Sequence, residues 1–288
     1  MNGIKNALVV EGGGMRGVYS AGVLAAFAGA SFDPFDLYIG VSAGACKLAS
    51  HLAGQHERNI DILMRWSSTR RFISYTRFLA GGHLMDLDWL WDTTIREYRL
   101  DLKRLFGLLT VRRKEFVVVA TSMKTGSAMY LRPDETTLEH YLKVSSSIPI
   151  LYRGELSADG ERSTDGGVAD SIPVRYAHRC GASHITVIRS RPSGYEKRSG
   201  NGIIGGIVFR KYPRFAGALN NRADDYMRSV EFIRNPPTGV QIVEVAPPAN
   251  LGVSRTTRDR KALMNAYRVG MEYGQEHIRH CTSTMEVI

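Results

Sequence analysis

Cysteine is scarce. The 288 residues hold three, Cys46, Cys180 and Cys281, and no C-x-x-C pair. That excludes a disulfide framework and the usual zinc and thiol-redox signatures. The eight histidines form no H-E-x-x-H, so no metal site is expected. Long apolar runs are missing too: nothing approaches the roughly 18 residues of a membrane span. The apolar stretch Ala7 to Val10 is cut short by Glu11, well below the core of a secretion signal. The expected location is the cytoplasm, with peripheral contact at the inner membrane face. Acid is in deficit, 28 Asp and Glu against 38 Lys and Arg, for a formal charge of +10. The excess favours anionic partners, lipid phosphates or nucleic acid, without choosing between them. Apolar residues are not lacking. At 43% hydrophobic and 23% charged the chain can build a packed core, which excludes global disorder.

Asn6 to Val10 and Phe35 to Val41 read as short strands. Each is followed by a helix, Gly17 to Gly29 and Ala43 to Ala53, with apolar residues spaced by three and four. Strand, helix, strand, helix within about 50 residues implies a parallel sheet. Further strands are expected at Phe116 to Ser122, His184 to Ser190 and Val240 to Val245. Further helices are expected at Asp134 to Ser146, Asp224 to Arg234 and Arg258 to His280. An α/β sandwich accounts for all of them. Trp66 to Phe106 reads as an insertion or a helical cover. Arg189 to Arg222, with eight basic residues against Glu196 and glycines at 194, 200, 202, 205 and 206, reads as loops or a mobile segment.

Gly40-Val41-Ser42-Ala43-Gly44 matches G-x-S-x-G where a strand turns into a helix. Such an elbow projects a serine Oγ beside a positive helix end, and small neighbours are needed for clearance. An ordinary glycine-relieved turn is the plain alternative. Glu11-Gly12-Gly13-Gly14-Met15-Arg16-Gly17 follows the first strand and opens the first helix. Successive glycines let amides converge on one anionic oxygen, whether the oxyanion of acyl transfer or a phosphate. Nucleotide binding remains an alternative, weakened because the P-loop lysine is absent. In that scheme Asp33 or Asp36 would be the ribose acid. Asp165-Gly166-Gly167, ending a hairpin strand Glu161 to Thr164 behind the Asp159-Gly160 turn, is the strongest acid candidate; a plain Asp-Gly turn is its alternative.

Together these elements resemble the patatin-like phospholipase family, in its bacterial branch. The likeness rests on Gly12-Gly13-Gly14-Met15-Arg16-Gly17 as the G-G-G-x-R-G loop, Gly40 to Gly44 as the elbow and Asp165-Gly166-Gly167 as the D-G-[GA] element. Ser145-Ser146-Ser147-Ile148-Pro149 matches the small-residue stretch before the aspartate. It covers roughly residues 5–180. The resemblance implies a three-layer α/β/α sandwich with a mainly parallel central sheet. It also implies a Ser–Asp dyad in which Asp165 accepts the Ser42 proton directly, without a histidine. Gly12, Gly13, Gly14 and Met15 would supply the oxyanion hole. Gly17, Gly40, Gly44, Gly166 and Gly167 would support the loops, as would Arg16, whose alternatives are a contact to the substrate's anionic head group and a surface salt bridge at the helix start.

The expectation is one domain over 1–288, with 190–288 a C-terminal extension of the same unit. It is a lipid acyl hydrolase, of phospholipase A or esterase type, that needs no cofactor and no metal. Its partner is a lipid or small ester substrate, with contact to an anionic membrane surface and no nucleic acid. The competing expectation is a lipid- or nucleotide-binding regulator that keeps the fold without turnover. Arg65, Arg70, Arg71 and Arg77, alternating with Trp66, Phe72, Tyr75 and Phe78, suit a membrane interface, single-stranded nucleic acid or a solvated covering helix. Ile203, Ile204, Ile207, Val208 and Phe209, with Arg210, Lys211 and Arg214, form a second candidate for bilayer contact or for a lid. His178 and His184 are expected to be structural, His277 and His280 solvated, and Cys46 packed within its helix.

Overall fold

The computed structural model describes residues 6–198 and 206–285. Gly200, Gly202, Ile203, Ile204 and Gly205 lie outside them. One sheet carries β1 (Asn6–Val10), β2 (Leu37–Val41), β3 (Glu115–Ser122), β4 (Ala128–Leu131), β5 (Leu156–Ala158), β6 (Glu161–Asp165), β7 (His184–Ile188) and β8 (Gln241–Val245). Its order is β5-β6-β3-β2-β1-β7-β8, with β4 paired to β3. The five strands β3-β2-β1-β7-β8 are parallel, and the β4, β5 and β6 pairings are antiparallel. β1 and β2 are β-branched, apolar runs because both faces of a parallel sheet are covered.

Helices α1 (Gly17–Gly29), α2 (Ala43–Leu52), α3 (Arg58–Ile62), α4 (Tyr75–Leu79), α5 (Leu87–Glu97), α6 (Leu102–Val111), α7 (Leu138–Ser146), α8 (Val174–Arg179), α9 (Pro213–Arg234) and α10 (Arg260–Met285) flank it. On one face Leu8, Val10, Tyr38 and Val118 pack against Val23 and Phe27 of α1, Leu48 of α2 and Leu142 of α7. On the other, Ala7, Val9, Ile39 and Val117 meet Val174 of α8 and Tyr226, Val230 and Ile233 of α9. The alternation along each strand produces the three-layer α/β/α sandwich. β1, with β2 on one side and β7 on the other, marks the switch point of the sheet, beyond whose carboxyl end such folds bind ligands.

Some expectations are corrected. α9 begins at Pro213, not Asp224, so the latter part of the supposed loop segment is helix. Asp134 does not start α7; its carboxylate accepts from the Thr136 and Thr137 amides in a turn before Leu138. β4 was not anticipated. Trp66 to Phe106 is a helical cover: Phe72 is buried, and Trp66 and Phe78 pack on a third cluster with Leu63, Met85 and Leu90. Arg77 donates to the carbonyls of His83, Arg71 and Phe72, each at 2.8 Å, so it ties the fold rather than facing a ligand. His277 is buried, 5.5 Å from the Phe27 ring and 5.8 Å from that of Phe32, because α10 turns that face onto α1. No helix among the described residues is long and apolar enough to cross a membrane.

The α1–α10 contact depends on missing side chains. A Cβ at Gly270 would overlap the Tyr19 carbonyl, and one at Gly22 the Tyr267 carbonyl. Gly270→Ala gains about 1 kcal/mol of helix propensity. It must force two backbones apart, and overpacking costs about 1–3 kcal/mol even against movable side chains. We expect a lower Tm for Gly270→Ala. Gly107→Ala in α6, where nothing lies within 4 Å, should raise Tm or leave it unchanged. Thermal melts of both variants check the sign.

Candidate active site

β1 and β2 deliver two tight turns to the same end of the sheet. After β1, Glu11 is buried and accepts from the Ser190 amide at 2.7 Å, Arg189 Nε at 3.2 Å and the Tyr226 hydroxyl at 3.1 Å. Ser190 Oγ donates to the Gly12 carbonyl at 2.9 Å, fixing the loop from behind. Gly14 takes φ +58°, where a Cβ would also press on the Arg255 carbonyl. Among the described residues the amides of Gly12, Gly13 and Gly14 have no protein acceptor. That of Met15 does: it donates to the Arg255 carbonyl at 3.1 Å. Met15 is therefore not a free oxyanion donor, and its side chain instead lines an apolar cavity.

After β2, Ser42 sits at φ 54°, ψ −126°, a conformation that costs a non-glycine residue about 1–3 kcal/mol. The surroundings enforce it. The Ser42 amide donates to Ser145 Oγ at 2.8 Å, and Ser145 Oγ donates to the Val119 carbonyl at 2.6 Å. A Cβ at Gly40 would overlap Ala45, and one at Gly44 the Val10 carbonyl, so both are packing requirements of the elbow. Gly17 brings α1 close to Ala43 for the same reason.

Register then brings the acid across. Val41 pairs with Val119, and Ala120 pairs with Asp165. Ser42 and Asp165 therefore flank β3 at the level of small Ala120, two strand spacings or roughly 10 Å apart in backbone. Both residues line the same polar cavity, where the Ser42 hydroxyl lowers the proton affinity of the Asp165 carboxylate. The Gly167 amide donates to Asp165 Oδ1 at 2.8 Å. Gly166 passes so close to the Val119 carbonyl that no side chain fits. Burial pushes the Asp165 pKa up, against the opposing pull of the Ser42 hydroxyl, the Arg222 charge and the Gly167 amide. His178 and His184 line neither cavity at Ser42; His184 opens β7 at the opposite end of the sheet.

Ser42 lies where two cavities meet. One is lined by Met15, Leu63, Phe72, Met85, Leu90 and Ile148 among other mainly apolar side chains. Cys46 lines it too, beside Ser146 Oγ at 3.6 Å, with its thiol pKa raised by burial, as suits a packed residue. The other holds Gly12, Gly13, Gly14, Ser42, Asp165 and Gly167 together with Arg16, Arg191, Lys197, Arg222 and Arg255. Burial, with Arg191 and Arg255 nearby, lowers Arg16 to about 10; Glu11 pulls the other way. Burial lowers Lys197 to about 7, helped by Arg222 and opposed by Glu11. Sequence reading missed Ser145 as the anchor of the elbow and all the cations but Arg16. The only signal was the basic excess of Arg189 to Arg222.

Residues 8–178 match the patatin-like phospholipase family, and residues 212–286 match a domain of unknown function, DUF6363. The uncharacterized protein YjjU of Escherichia coli (strain K12) is 33% identical over 280 residues, covering 93% of this chain and 76% of its own length. Lysophospholipase NTE1 of Saccharomyces cerevisiae (strain ATCC 204508 / S288c) is 23% identical over 287 residues, covering 96% of this chain and 16% of its own. Among solved structures, VipD from Legionella pneumophila aligns with a TM-score of 0.41 and 14% identity, over 95% of this chain and 67% of its own. A family match along more than half of the sequence, and a relative one-third identical over nearly all of it, place this chain in the patatin-like phospholipase family.

Proposed function

We propose that the chain is a lipid acyl hydrolase that cleaves carboxylic esters through a Ser42–Asp165 dyad. One observation carries the reading: a strained serine and a buried carboxylate share one cavity with a loop of free amides, and the same serine also lines an apolar cavity. Family membership and the lysophospholipase name of the yeast relative support it. Ser42 Oγ attacks the ester carbonyl carbon as its proton passes to Asp165. Free amides of the Gly12–Gly14 loop hold the oxyanion, and the acyl chain lies in the apolar cavity. Collapse expels the alcohol, which takes the proton from Asp165 and leaves an acyl-serine. Water then attacks and Asp165 takes its proton; the second collapse breaks the bond between Ser42 Oγ and the acyl carbon, Oγ recovers the proton from Asp165, and the carboxylic acid departs. Residues 190–288 belong to the same unit in this reading, because they supply Arg191, Lys197, Arg222 and Arg255 to the pocket.

The base must be ionised, and burial raises its pKa. Turnover should therefore rise with pH through the carboxyl's titration and be lost below it. For p-nitrophenyl butyrate we expect the acid limb of kcat/KM to lie above the ordinary aspartate value of about 3.9. A limb at or below that value would remove Asp165 from the role of base.

A further inference from the structure

The polar pocket beside Ser42 holds more positive charge than the acyl-transfer chemistry uses. Arg16, Arg191, Lys197, Arg222 and Arg255 line it against two carboxylates, Glu11 and Asp165. Glu11 is committed to Arg189, the Ser190 amide and the Tyr226 hydroxyl, and Asp165 to Ser42 and Gly167. Among the described residues none of the five cations forms an ion pair with a carboxylate. Arg16 is only 6% exposed, and its Nε has no hydrogen-bond partner. The others are held without being neutralised. The Arg191 guanidinium lies 4.3 Å from the Tyr195 ring centroid, Lys197 Nζ lies 4.8 Å from that of Tyr226, and Arg222 Nε donates to the Gly167 carbonyl at 2.5 Å. Burying like charges together is unfavourable unless something opposes them, and the depressed pKa of Lys197 reflects that burial and repulsion. An anion at this place would relieve the repulsion and satisfy the idle donors.

Position says which anion. The cationic pocket and the apolar cavity share Gly14, Ser42 and Ile148, so a ligand with its ester at Ser42 and its acyl chain in the apolar cavity extends its far end among the cations. In a glycerophospholipid the phosphate stands a few bonds from the ester, on that far side. A choline or ethanolamine beyond the phosphate would bring a further cation into a cationic pocket, whereas a terminal phosphate monoester adds negative charge. We infer that this pocket is a phosphate subsite that makes the enzyme selective for net-anionic glycerophospholipids, above all those ending in a phosphate monoester, over zwitterionic ones. The inference rests on the acyl-hydrolase reading of Ser42 and Asp165.

The test compares lysophosphatidic acid with lysophosphatidylcholine of the same acyl chain, both monomeric and at one ionic strength. The expected kcat/KM preference for the monoester is about 10- to 100-fold, the worth of one or two charge-assisted hydrogen bonds. It should shrink with added salt and collapse in Lys197→Met and Arg191→Gln, mainly through KM. Equal kcat/KM for the two lipids, or a preference untouched by both substitutions, would overturn the inference. Ser42-dependent hydrolysis of neutral p-nitrophenyl butyrate shows whether the acyl-hydrolase reading stands in that event. Calorimetry on Ser42→Ala with sn-glycerol 3-phosphate, inorganic phosphate and glycerol tests the subsite independently of turnover. Glycerol phosphate should bind and glycerol should not. Inorganic phosphate bound more tightly than glycerol phosphate, without any lipid preference, would assign the pocket to the free ion and overturn the headgroup role.

Discussion

Ser42→Ala is expected to lower p-nitrophenyl butyrate hydrolysis by about 10⁴-fold or more, on the scale of losing a catalytic serine in other hydrolases. It should also abolish covalent labelling by a fluorophosphonate. The reason is specific to Oγ. In the proposed mechanism that atom forms the new bond to carbon, and hydroxyls that share its cavities are engaged elsewhere: Ser171 Oγ donates to the Gly167 carbonyl, and Ser146 Oγ meets the Cys46 thiol. The fold should persist, because alanine retains the amide that donates to Ser145. Removing the hydroxyl also takes away a polar neighbour that lowers the Asp165 pKa, so the acid should titrate higher still in the variant. Intact mass after labelling and circular dichroism make the measurement. Turnover surviving the substitution would end the serine mechanism. An unlabelled but folded wild-type protein would favour a lipid- or nucleotide-binding regulator instead.

The parallel sheet was legible because its strands are short, apolar and bounded by turns of unmistakable chemistry. Asn6 to Val10 is followed, after Glu11, by three consecutive glycines, and Leu37 to Val41 runs into the Ser42 elbow. Elsewhere local composition misled. The first half of α9, with Gly217, Asn220 and Asn221, carries weak helix formers, and only tertiary contacts such as buried Phe215 hold it helical. His277 looked solvated because charged neighbours surround it in sequence. Burial there is decided by α1, some 250 positions away.

The groups proposed to react were legible for a related reason. Ser42, Asp165 and the triple glycine need strained or closely packed backbone, and that requirement leaves a local residue pattern: Gly40 and Gly44 around one, Gly166 and Gly167 after the other. The cationic pocket needs no such backbone. Its members come from α1's entry, the segment after β7, α9 and the loop before α10, each an ordinary arginine or lysine in its own neighbourhood. Net charge announced that anions matter, but no window of sequence shows that five cations meet at one serine.

Asp165→Asn should separate what burial costs the fold from what it contributes to the chemistry. Activity should fall by about 10⁴-fold, since an amide cannot take the Ser42 proton. Stability should move the opposite way. Burial raises the folded-state pKa of Asp165, so the native protein binds a proton more readily than the unfolded chain does. Wild-type stability therefore falls as pH rises from the unfolded pKa through the folded one, and the penalty is fully present above that window. Asparagine is neutral throughout. Its carboxamide oxygen can still accept from the Gly167 amide, and its NH₂ can donate to Ser42 Oγ, so the local bonds are retained. The variant should melt higher than wild type at neutral pH, with the advantage vanishing as pH drops below the unfolded value of about 3.9. Paired melts across that range decide it. An inactive variant with a lower Tm at neutral pH would mean that the carboxylate is stabilised in the native state by Arg222 and its hydrogen bonds more than burial penalises it, and such a carboxylate would be too weak a base for the part assigned to it.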